Sequence, residues 1–464
     1  MKIREWIYLN GVLPVLQTES ARGLSSRIAI QASREQLPLS DQKEQQLQAT
    51  RRIVKHAYAT SPFYRMRLDS AGIDPDLNRG LEDFARIPVL SRNDIRENFD
   101  SLCSTDFRKE DLQIAATSGT TDSPAPLARN KGCLPDKLAV QLRFNMWAGA
   151  RPGDRTMYFW GARQDLPEHP SWKWKFVEQS LRRRVWAPTA VFNEEILDSY
   201  MRLMNKFKPQ VIFAYSTPVT LFCEYLLASG KPYHQPKTVI CTAEPLHDWQ
   251  RATIQKALGC KAYQHYGTRD FGLVAAECVR QSGMHVNPAA AFIEQVSIGV
   301  DGNLRELLVT DLLNLGMPLL RYRINDCTTA GPEQCDCGCT YPLIQPIIGR
   351  TLDNFFLADG SIVPGILLLR VSKQLPGLKQ AQVIQHSFDQ FEVKFVTTEL
   401  WSGHEPDVIA SKLKTFCGPQ IQVRFSQVDE IPREKSGKTR FCISHVRTAQ
   451  SALETVVGHG GTPS

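Results

Sequence analysis

The chain has 464 residues, of which 42% are hydrophobic and 22% are charged. These fractions are ordinary for a globular protein and exclude wholesale disorder, and the length is enough for two or more domains. The formal net charge of +7 suits anionic substrates such as nucleotides. It does not predict nucleic-acid binding, because the longest basic cluster, Arg182-Arg183-Arg184, is short and lacks patterned aromatic neighbours. We expect these arginines to form a solvated helix end.

The N-terminus and the cysteines bear on the cellular compartment. The first residues, MKIREWIYLNGVLPVLQ, are mildly apolar, but Arg4 and Glu5 interrupt them and there is no clear small-residue cleavage site. A docking helix is therefore predicted rather than a signal peptide. No run of 18 apolar residues occurs, so no membrane span is expected. Twelve cysteines in a chain of this length do not resemble a disulfide scaffold, and they predict a cytoplasmic protein with buried thiols.

Residues 1 to about 105 have a helical pattern. Apolar residues recur there at roughly helical spacing, at Leu47, Ile53, Val54 and Ala57. Ser61-Pro62 interrupts this pattern, because proline does not continue a helix. A second break ends at Ser91, which is placed to cap a helix beginning at Asn93.

The pattern changes after about residue 111. Short apolar segments at 210–215, 238–243 and 261–267 alternate with two helical segments. Strand–helix alternation of this kind predicts crossover connections on a largely parallel sheet, and therefore an α/β fold. The segment Val300-Asp301-Gly302-Asn303 stands between two further strand-like segments and is expected to form a hairpin turn.

The tail of the chain has a pattern of its own. A strand, a helix and a second strand are predicted between residues 390 and 428, which indicates a small α+β unit. We therefore expect two domains, residues 1–349 with a helical lead-in at 1–105, and residues 350–464. The join is predicted near Gly349-Arg350.

The first motif with chemical content is TSGTTDSP at residues 117–124. Its hydroxyl groups, together with the backbone N–H groups around one glycine, are suited to surround a polyphosphate. It is not a Walker loop, because no Gly-Lys-Ser/Thr closes it. Taken alone, the segment fits an ordinary loop rich in serine and threonine better.

Five further motifs strengthen the interpretation of this segment as a phosphate-binding loop. They are TAEPL (242–246), YGTRDFG (266–272), RYRIND (321–326), GR (349–350) and PREKSGK (432–438). In this order and at these separations, the six motifs resemble those of the adenylate-forming superfamily of acyl-CoA synthetases and related adenylation enzymes. The resemblance is strongest to the phenylacetate–CoA ligase-like and capsule-biosynthesis branch, and it spans residues 45–442. It implies a large N-terminal adenylate-forming domain, a small mobile C-terminal domain, and a reaction of a carboxylic acid with ATP that gives acyl-AMP and pyrophosphate.

The resemblance also assigns roles to individual residues. The loop around the β- and γ-phosphates would be formed by Thr117, Ser118, Gly119, Thr120 and Thr121. The adenine side would be formed by Ala243, Glu244, Pro245, Tyr266 and Gly267. Thr268 would contact the α-phosphate, and Asp270 would hold Mg²⁺. Asp326, assisted by Arg350, would bind the ribose hydroxyls, and Lys438 would reach the α-phosphate and the substrate carboxylate.

These roles agree with the chemistry of the implied reaction. A carboxylate that attacks a triphosphate brings like charges together, so Mg²⁺ and a positioned lysine stabilise the transition state. The carboxylate of Asp326 can accept both protons of a ribose diol. Without the preceding Pro-x-x-x-Ser-Gly frame, Lys438 would be interpreted as a surface lysine in a turn.

Three features depart from the family pattern. Asp122 stands in the phosphate loop where glycine is usual, and it adds negative charge near the phosphates. Asn325 replaces another glycine, a mild change because asparagine tolerates positive φ. At the hinge, Leu352 replaces an acidic residue, and FFLADGS (355–361) stands where a glycine-rich loop often lines the pantetheine tunnel. These last changes affect transfer of the acyl group to a thiol.

A second set of residues has metal-ligand chemistry. Cys278, His285, Cys335 and Cys337 offer thiolates and an imidazole, which suit tetrahedral Zn²⁺. Phenylacetate–CoA ligase-like proteins often carry a Cys-x-Cys-Gly segment at this place, so the resemblance supports a structural zinc, with Cys339 as a spare thiol. The alternative is a group of buried free thiols beside a surface histidine.

The substrate and the acceptor are less closely defined by the sequence. Four tryptophans precede the adenine segment, where the family builds its acyl pocket: Trp160, Trp172, Trp174 and Trp186. They either pack in the core or line a pocket for a small carboxylic acid, which would then be aromatic. The expected acyl acceptor is the thiol of CoA or of a carrier protein's pantetheine, and an amine or hydroxyl is the alternative. A degenerate nucleotide-binding protein would account for Asp122 and Leu352, whereas Lys438, Asp326 and Asp270 favour an enzyme.

Overall fold

The computed structural model of the chain describes residues 3–16, 20–116, 125–160, 171–189, 193–298, 304–347, 349–350, 354–358, 362–364, 375, 377–432 and 442–446. The chain forms two compact units. The first comprises Met1–Gln295, Leu307–Ile324 and Gly331–Ile347, and the second comprises Val296–Glu306, Asn325–Ala330 and Ile348–Ser464. The division of the sequence into residues 1–349 and 350–464 stays a prediction, and the second unit also takes two earlier segments.

The helical pattern before residue 105 corresponds to a series of helices. They are α1 (Ile3–Ile7), α2 (Leu13–Leu16), α3 (Leu24–Arg34), α4 (Leu39–Thr60), α5 (Pro62–Ser70), α6 (Leu81–Arg86), α7 (Arg92–Glu97) and α8 (Phe99–Leu102), with a π-helical turn, Tyr8–Val12, between the first two. Ser61 ends α4 and caps α5, where Pro62 takes the first helical position. Ser91 forms a capping box with Asp94, so α7 begins one residue before the predicted start.

Helices also occur between and after the strands of the chain. They are α9 (Leu134–Trp147), α10 (Trp172–Phe176), α11 (Glu194–Phe207), α12 (Ser216–Ser229), α13 (Asp248–Leu258) and α14 (Glu405–Cys417), with short turns of other helix types at Lys109–Asp111, Lys131–Cys133 and Val177–Leu181. Among the described residues, none of the helices is both long and apolar enough to cross a membrane. The N-terminal helices dock on α3 and α9, because Leu9, Leu13, Leu24 and Ile28 share a small core with Ala139.

The strands follow in chain order. They are β1 (Leu112–Ala116), β2 (Pro126–Asn130), β3 (Thr156–Trp160), β4 (Arg184–Pro188), β5 (Val211–Tyr215), β6 (Thr238–Thr242), β7 (Ala262–Thr268), β8 (Gly272–Glu277), β9 (Met284–Val286), β10 (Ala291–Ile298), β11 (Leu304–Asp311), β12 (Tyr322–Thr329), β13 (Leu343–Ile344) and β14 (Gly349–Arg350). In the C-terminal part they are β15 (Asn354–Phe356), β16 (Ile362–Pro364), β17 (Leu378–Gln385), β18 (Gln390–Thr397), β19 (Gln422–Gln427) and β20 (Cys442–Ser444).

The largest sheet among the described residues is mainly parallel. Its strand order is β13-β9-β8-β7-β6-β5-β3-β4, and the neighbours from β7 to β4 all pair in parallel. The predicted segments at 210–215, 238–243 and 261–267 form β5, β6 and β7, and α12 and α13 connect them. All five residues of β5 and of β6 are buried, as expected for parallel strands covered on both faces. The predicted α/β fold is confirmed.

Smaller sheets complete the fold. Strands β1 and β2 pair antiparallel, and a four-stranded sheet has the order β10-β11-β12-β14. The turn predicted at 300–303 joins β10 and β11 but lies outside the described residues. In the C-terminal part, β15 and β16 form a hairpin, and a sheet of order β19-β18-β17-β20 packs with α14. This is the α+β unit that the sequence predicts.

The arginine cluster differs from its prediction as a solvated helix end. Arg182 and Arg184 are half-buried and form ion pairs of 2.7 and 3.1 Å with Glu178, whose side chain is 2% exposed. The indole N–H of Trp186 donates a hydrogen bond to the same carboxylate at 3.0 Å. The prediction was wrong because the buried acid that attracts these arginines lies in a neighbouring helical turn and does not stand out in the sequence.

Candidate active site and metal centre

Two of the predicted motifs meet at one edge of the parallel sheet. TAEPL begins at Thr242, the last residue of β6, and YGTRDFG begins at Tyr266 near the end of β7. These strands are neighbours in the sheet, with Cys241 opposite Gln264. The carboxyl ends of parallel strands are where open α/β sheets bind ligands. The structure therefore brings the two adenine-side segments together at the expected edge.

The segment after β6 is held in an unusual backbone conformation. Ala243 has φ of +65°, a region that non-glycine residues rarely adopt and that costs about 1–3 kcal/mol. The Glu244 carboxylate accepts a hydrogen bond from the Thr217 N–H at 2.9 Å, at the start of α12. The Ser216 hydroxyl donates to the carbonyl of Glu244 at 3.3 Å. The first residues of α12, the helix between β5 and β6, thus hold Glu244 at the end of β6.

The turn between β7 and β8 positions Thr268 and Asp270. The register shifts between Tyr266 and Gly267, and a Cβ at Gly267 would lie 2.7 Å from the carbonyl oxygen of Gly272. Only glycine therefore allows this close approach of two backbones. The Thr268 hydroxyl accepts hydrogen bonds from the N–H groups of Asp270 and Phe271, both at 3.2 Å. Its own proton can still be donated, as contact with a phosphate requires.

Asp270 lies in a polar site below this turn. The residue is 7% exposed. Burial raises the pKa of the Tyr322 phenol, the negative charge of Asp270 also raises it, and Arg92 lowers it, which together give a value of about 12. The Tyr322 phenol is therefore close to both the Asp270 carboxylate and the Arg92 guanidinium. This setting suits a fixed Mg²⁺ ligand, and it suits a structural ion pair equally well.

The two predicted ribose-binding residues are neighbours in the sheet of β12 and β14. Asp326 is opposite Arg350, and Cys327 is opposite Gly349, in antiparallel register. Asn325 has φ of +62°, so the residue that replaces the family's glycine does take the left-handed conformation. The backbone thus places both residues of this pair side by side.

Other predicted residues lie outside the described part of the chain. These are the phosphate loop with Thr117, Ser118, Gly119, Thr120, Thr121 and Asp122, the hinge residue Leu352, and Lys438. The FFLADGS segment is described only up to residue 358. Its Phe355 is fully buried in the core of the second unit, with its ring 5.3 Å from that of Phe391. Phe355 therefore stabilises the fold of the second unit.

His265 is a residue that the sequence motifs do not include. It precedes Tyr266 on β7, is 1% exposed, and has no hydrogen-bond partner for Nδ1 or Nε2 among the described residues. Burial lowers the pKa of the imidazole to about 3, so the ring is neutral at physiological pH. Each unsatisfied buried polar group costs about 1–3 kcal/mol. The signal in the sequence was a histidine within a predicted strand, directly before the YGTRDFG motif.

Aromatic residues cover the sheet face beside His265. The Phe213 ring lies 6.4 Å from the imidazole, edge to face, and the Trp160 ring lies 4.7 Å from that of Tyr215. Trp186 stacks on Tyr158 at 4.6 Å. Of the four tryptophans considered as pocket residues, Trp160 and Trp186 belong to this face and Trp174 is half-buried on α10, whereas Trp172 is 74% exposed.

The predicted zinc ligands converge in the first unit. Cys278 follows β8, His285 lies in β9, and Cys335 and Cys337 precede β13, which pairs with β9. Their four ligand atoms all lie within 4.8 Å of one another. The Sγ atoms of Cys278 and Cys335 are 3.7 Å apart, too far for a disulfide bond. Zn–S bonds of about 2.3 Å in a tetrahedron place two sulfurs about 3.8 Å apart, so the spacing fits a zinc site.

The surroundings of these residues also suit a metal. His285 is fully buried, which excludes the alternative of a surface histidine. Its Nδ1 lies 3.0 Å from the carbonyl oxygen of Tyr341, and its Nε2 lies 3.3 Å from the Cys337 Sγ. A proton donated from Nδ1 to that carbonyl leaves the Nε2 lone pair for a metal. Backbone N–H groups donate hydrogen bonds to the sulfurs of Cys278 and Cys337, both at 3.4 Å. Such hydrogen bonds favour the thiolate form that binds a metal.

The fold has a counterpart among solved structures. A crystal structure of 2-hydroxyisobutyryl-CoA ligase in its postadenylation state matches with a TM-score of 0.69, covering 92% of this chain and 94% of the other at 17% identity. At this identity the match shows the fold, which is that of adenylate-forming acyl-CoA ligases.

Relatives identified by sequence similarity include CoA ligases as well. The chain is 27% identical over 441 residues to the phenylacetate–coenzyme A ligase of Thermus thermophilus, covering 88% of this chain and 97% of that ligase. It is 25% identical over 375 residues to Protein CapK of Staphylococcus aureus, covering 78% of this chain and 80% of CapK. Residues 355–445 match the family model described as the CapK C-terminal domain. The resemblance to the phenylacetate–CoA ligase-like and capsule-biosynthesis branch is therefore confirmed.

Proposed function

We propose that the protein is an AMP-forming acid–thiol ligase. It would activate a small carboxylic acid with ATP, release pyrophosphate, and transfer the acyl group to the thiol of CoA. The observation that carries this proposal is the similarity to phenylacetate–coenzyme A ligase along 97% of that enzyme's length. The convergence of two adenine-side motifs at the carboxyl edge of β6 and β7 supports it.

The resemblance implies how ATP would be held. The fixed backbone after β6 and the β7–β8 turn would border the adenine, and the Thr268 hydroxyl would donate to the α-phosphate. Asp326 and Arg350, opposite each other on β12 and β14, would bind the ribose. Asp270 would hold Mg²⁺, which neutralises phosphate charge when it is bound. Lys438 would stabilise the charge that develops during transfer at phosphorus.

We also propose that Cys278, His285, Cys335 and Cys337 hold one structural zinc ion. A closed set of four protein ligands leaves no open position for a substrate, so such a site stabilises the fold. The site would join β8 and β9 to the segment before β13. The hydroxyl of Tyr341 in that segment donates to a carbonyl of α3, at Gln31, so the site would also secure the helical lead-in.

A second acceptor is favoured by one feature of the sequence. Leu352 at the hinge departs from the acidic residue of thiol-transferring relatives. Transfer to a carrier protein's pantetheine, to an amine or to a hydroxyl would be compatible with this change.

The test is a screen of pyrophosphate release with aryl, fatty and amino acids, followed by product analysis with CoA, amines and alcohols supplied separately. We expect at least one acid to release pyrophosphate and to form a thioester with CoA. The Lys438→Ala variant is the matched control and should lose activity by roughly 10²-fold or more while still binding ATP. Binding of ATP without release of pyrophosphate from any acid would instead support a degenerate nucleotide-binding protein.

A further inference from the structure

His265 occupies a distinctive place in the sheet. It lies on β7 one residue before Tyr266, at the carboxyl edge where the two adenine-side motifs meet. The pairing of Cys241 with Gln264 and of Tyr215 with Thr242 puts His265, Thr242 and Tyr215 in one lateral row on the same face. Trp160 extends this row through its ring contact with Tyr215. The row continues on β8 with Ala276, which is opposite His265. The His265 imidazole thus lies in this row without a hydrogen-bond partner among the described residues.

A packing role alone does not account for this histidine. The ring is 1% exposed, and neither nitrogen has a hydrogen-bond partner among the described residues. Phenylalanine or leucine would fill the same space next to Phe213 without burying two polar atoms. A neutral imidazole offers one donor and one acceptor, and a hydroxyl group complements both. Charged groups fit less well, because the face beside His265 is aromatic and apolar.

We propose that His265 is a specificity-determining residue that binds a hydroxyl substituent of an aromatic acid substrate. The aromatic ring of that acid would pack along the row of Trp160 and Tyr215, and its hydroxyl would meet the imidazole. The inference rests on the proposed function and names the substrate class for the same site. A buried polar group that is satisfied only by the substrate discriminates strongly against analogues that lack the matching group.

The test compares acids that differ only at one substituent. Phenylacetate and benzoate are each assayed beside their 3- and 4-hydroxy and 3- and 4-methyl derivatives, because a methyl group has nearly the shape of a hydroxyl but forms no hydrogen bond. We expect wild-type kcat/KM for pyrophosphate release to be about 10²-fold or more higher for one hydroxylated acid than for its methyl analogue. In His265→Phe this ratio should fall at least tenfold. His265→Asn, which keeps a donor and an acceptor, should retain most of it.

Phe213→Leu is the matched control on the same face, and it should lower kcat/KM for hydroxy and methyl acids by similar factors. Equal use of hydroxy and methyl acids by the wild-type protein would overturn the proposal, and this comparison needs no variant. An unchanged ratio in folded His265→Phe would also overturn it, while pyrophosphate release by the wild-type protein would leave the ligase function standing. Failure of the wild-type protein to release pyrophosphate with any acid would overturn the function, and this inference with it.

Discussion

Burial of the His265 imidazole should make the stability of the first unit depend on pH. Its pKa is lowered to about 3 in the folded protein from 6.5, so below pH 6.5 the unfolded chain binds a proton that the folded chain does not. The resulting loss of unfolding free energy is absent above pH 6.5 and grows as the pH falls towards 3. The unfolding free energy of the wild-type protein should fall between pH 7 and pH 5. We predict that the fall is smaller by about 2 kcal/mol in His265→Phe, which lacks the imidazole.

Urea unfolding at the two pH values measures this difference directly. Phe213→Leu is a suitable control, because it alters the packing on the same face of the first unit and removes no titratable group. The same slope in wild-type protein and His265→Phe would show that the imidazole is protonated, or partnered, in the folded state.

The ribose assignment makes a second prediction for a single residue. Asp326→Ala should weaken ATP binding by about 1.5–3 kcal/mol, which is the range for hydrogen bonds to a charged group. Isothermal titration with ATP measures it, and exposed Asp407→Ala on α14 serves as the control. An unchanged dissociation constant in Asp326→Ala would mean that the RYRIND motif has another role.

The metal centre acts at the scale of elements, since it would connect β8, β9 and the segment before β13. We predict about one zinc per chain in purified protein. Cys335→Ser should lose the metal and lower Tm by about 5 °C or more, because zinc binding contributes to folding free energy. Metal analysis and thermal unfolding measure the two effects.

Cys339→Ser is the matched control for the zinc site. Cys339 is a neighbouring thiol outside the four converging ligands, so its replacement should leave the zinc content unchanged. A finding of no zinc in folded protein that has never been exposed to a chelator would support the alternative of free thiols.

Periodicity in the sequence predicted some elements and missed others. The apolar runs of β5 and β6 are buried on both faces, and they stand out because such strands carry few polar residues. β17 was missed because its segment, LKQAQVIQ, mixes polar residues with the apolar ones that face the core. β4 was missed because RVWAP begins with the last of three consecutive arginines, and Glu178, the partner of Arg182 and Arg184, is recognisable only in the folded chain.

Sequence patterns also predicted only part of the candidate sites. Cys278, His285, Cys335 and Cys337 were predicted as a set, because three thiols and an imidazole suit tetrahedral zinc and the resembling family often carries Cys-x-Cys-Gly at this place. His265 was not predicted, because full burial and missing hydrogen bonds are properties of the tertiary structure. The FFLADGS segment was noted only as a departure from a glycine-rich loop, and the burial of its Phe355 in the core of the second unit was not predicted.

At the scale of the whole molecule, the reaction needs the C-terminal domain to serve two half-reactions. The resemblance implies rotation of this domain between an adenylating and a thiolating pose, with the segment around Leu352 as the hinge. Leucine does not prevent rotation, but it removes a side chain that could hydrogen-bond the loop in either pose. We predict that transfer from preformed acyl-AMP to free CoA is slower than adenylation, and that Leu352→Asp accelerates it. Single-turnover kinetics of both steps measure this, and thioester formation as fast as adenylation in the wild-type protein would contradict it.

The central claim is that this protein makes an acyl adenylate. The most direct measurement is a single turnover of wild-type protein with ATP, Mg²⁺ and a hydroxylated aromatic acid, without any acceptor, followed by acid quenching and mass analysis. We expect acyl-AMP and pyrophosphate in amounts close to that of the enzyme, with almost none from Lys438→Ala. Formation of ADP and phosphate, or no acid-dependent consumption of ATP with any acid in the screen, would contradict it.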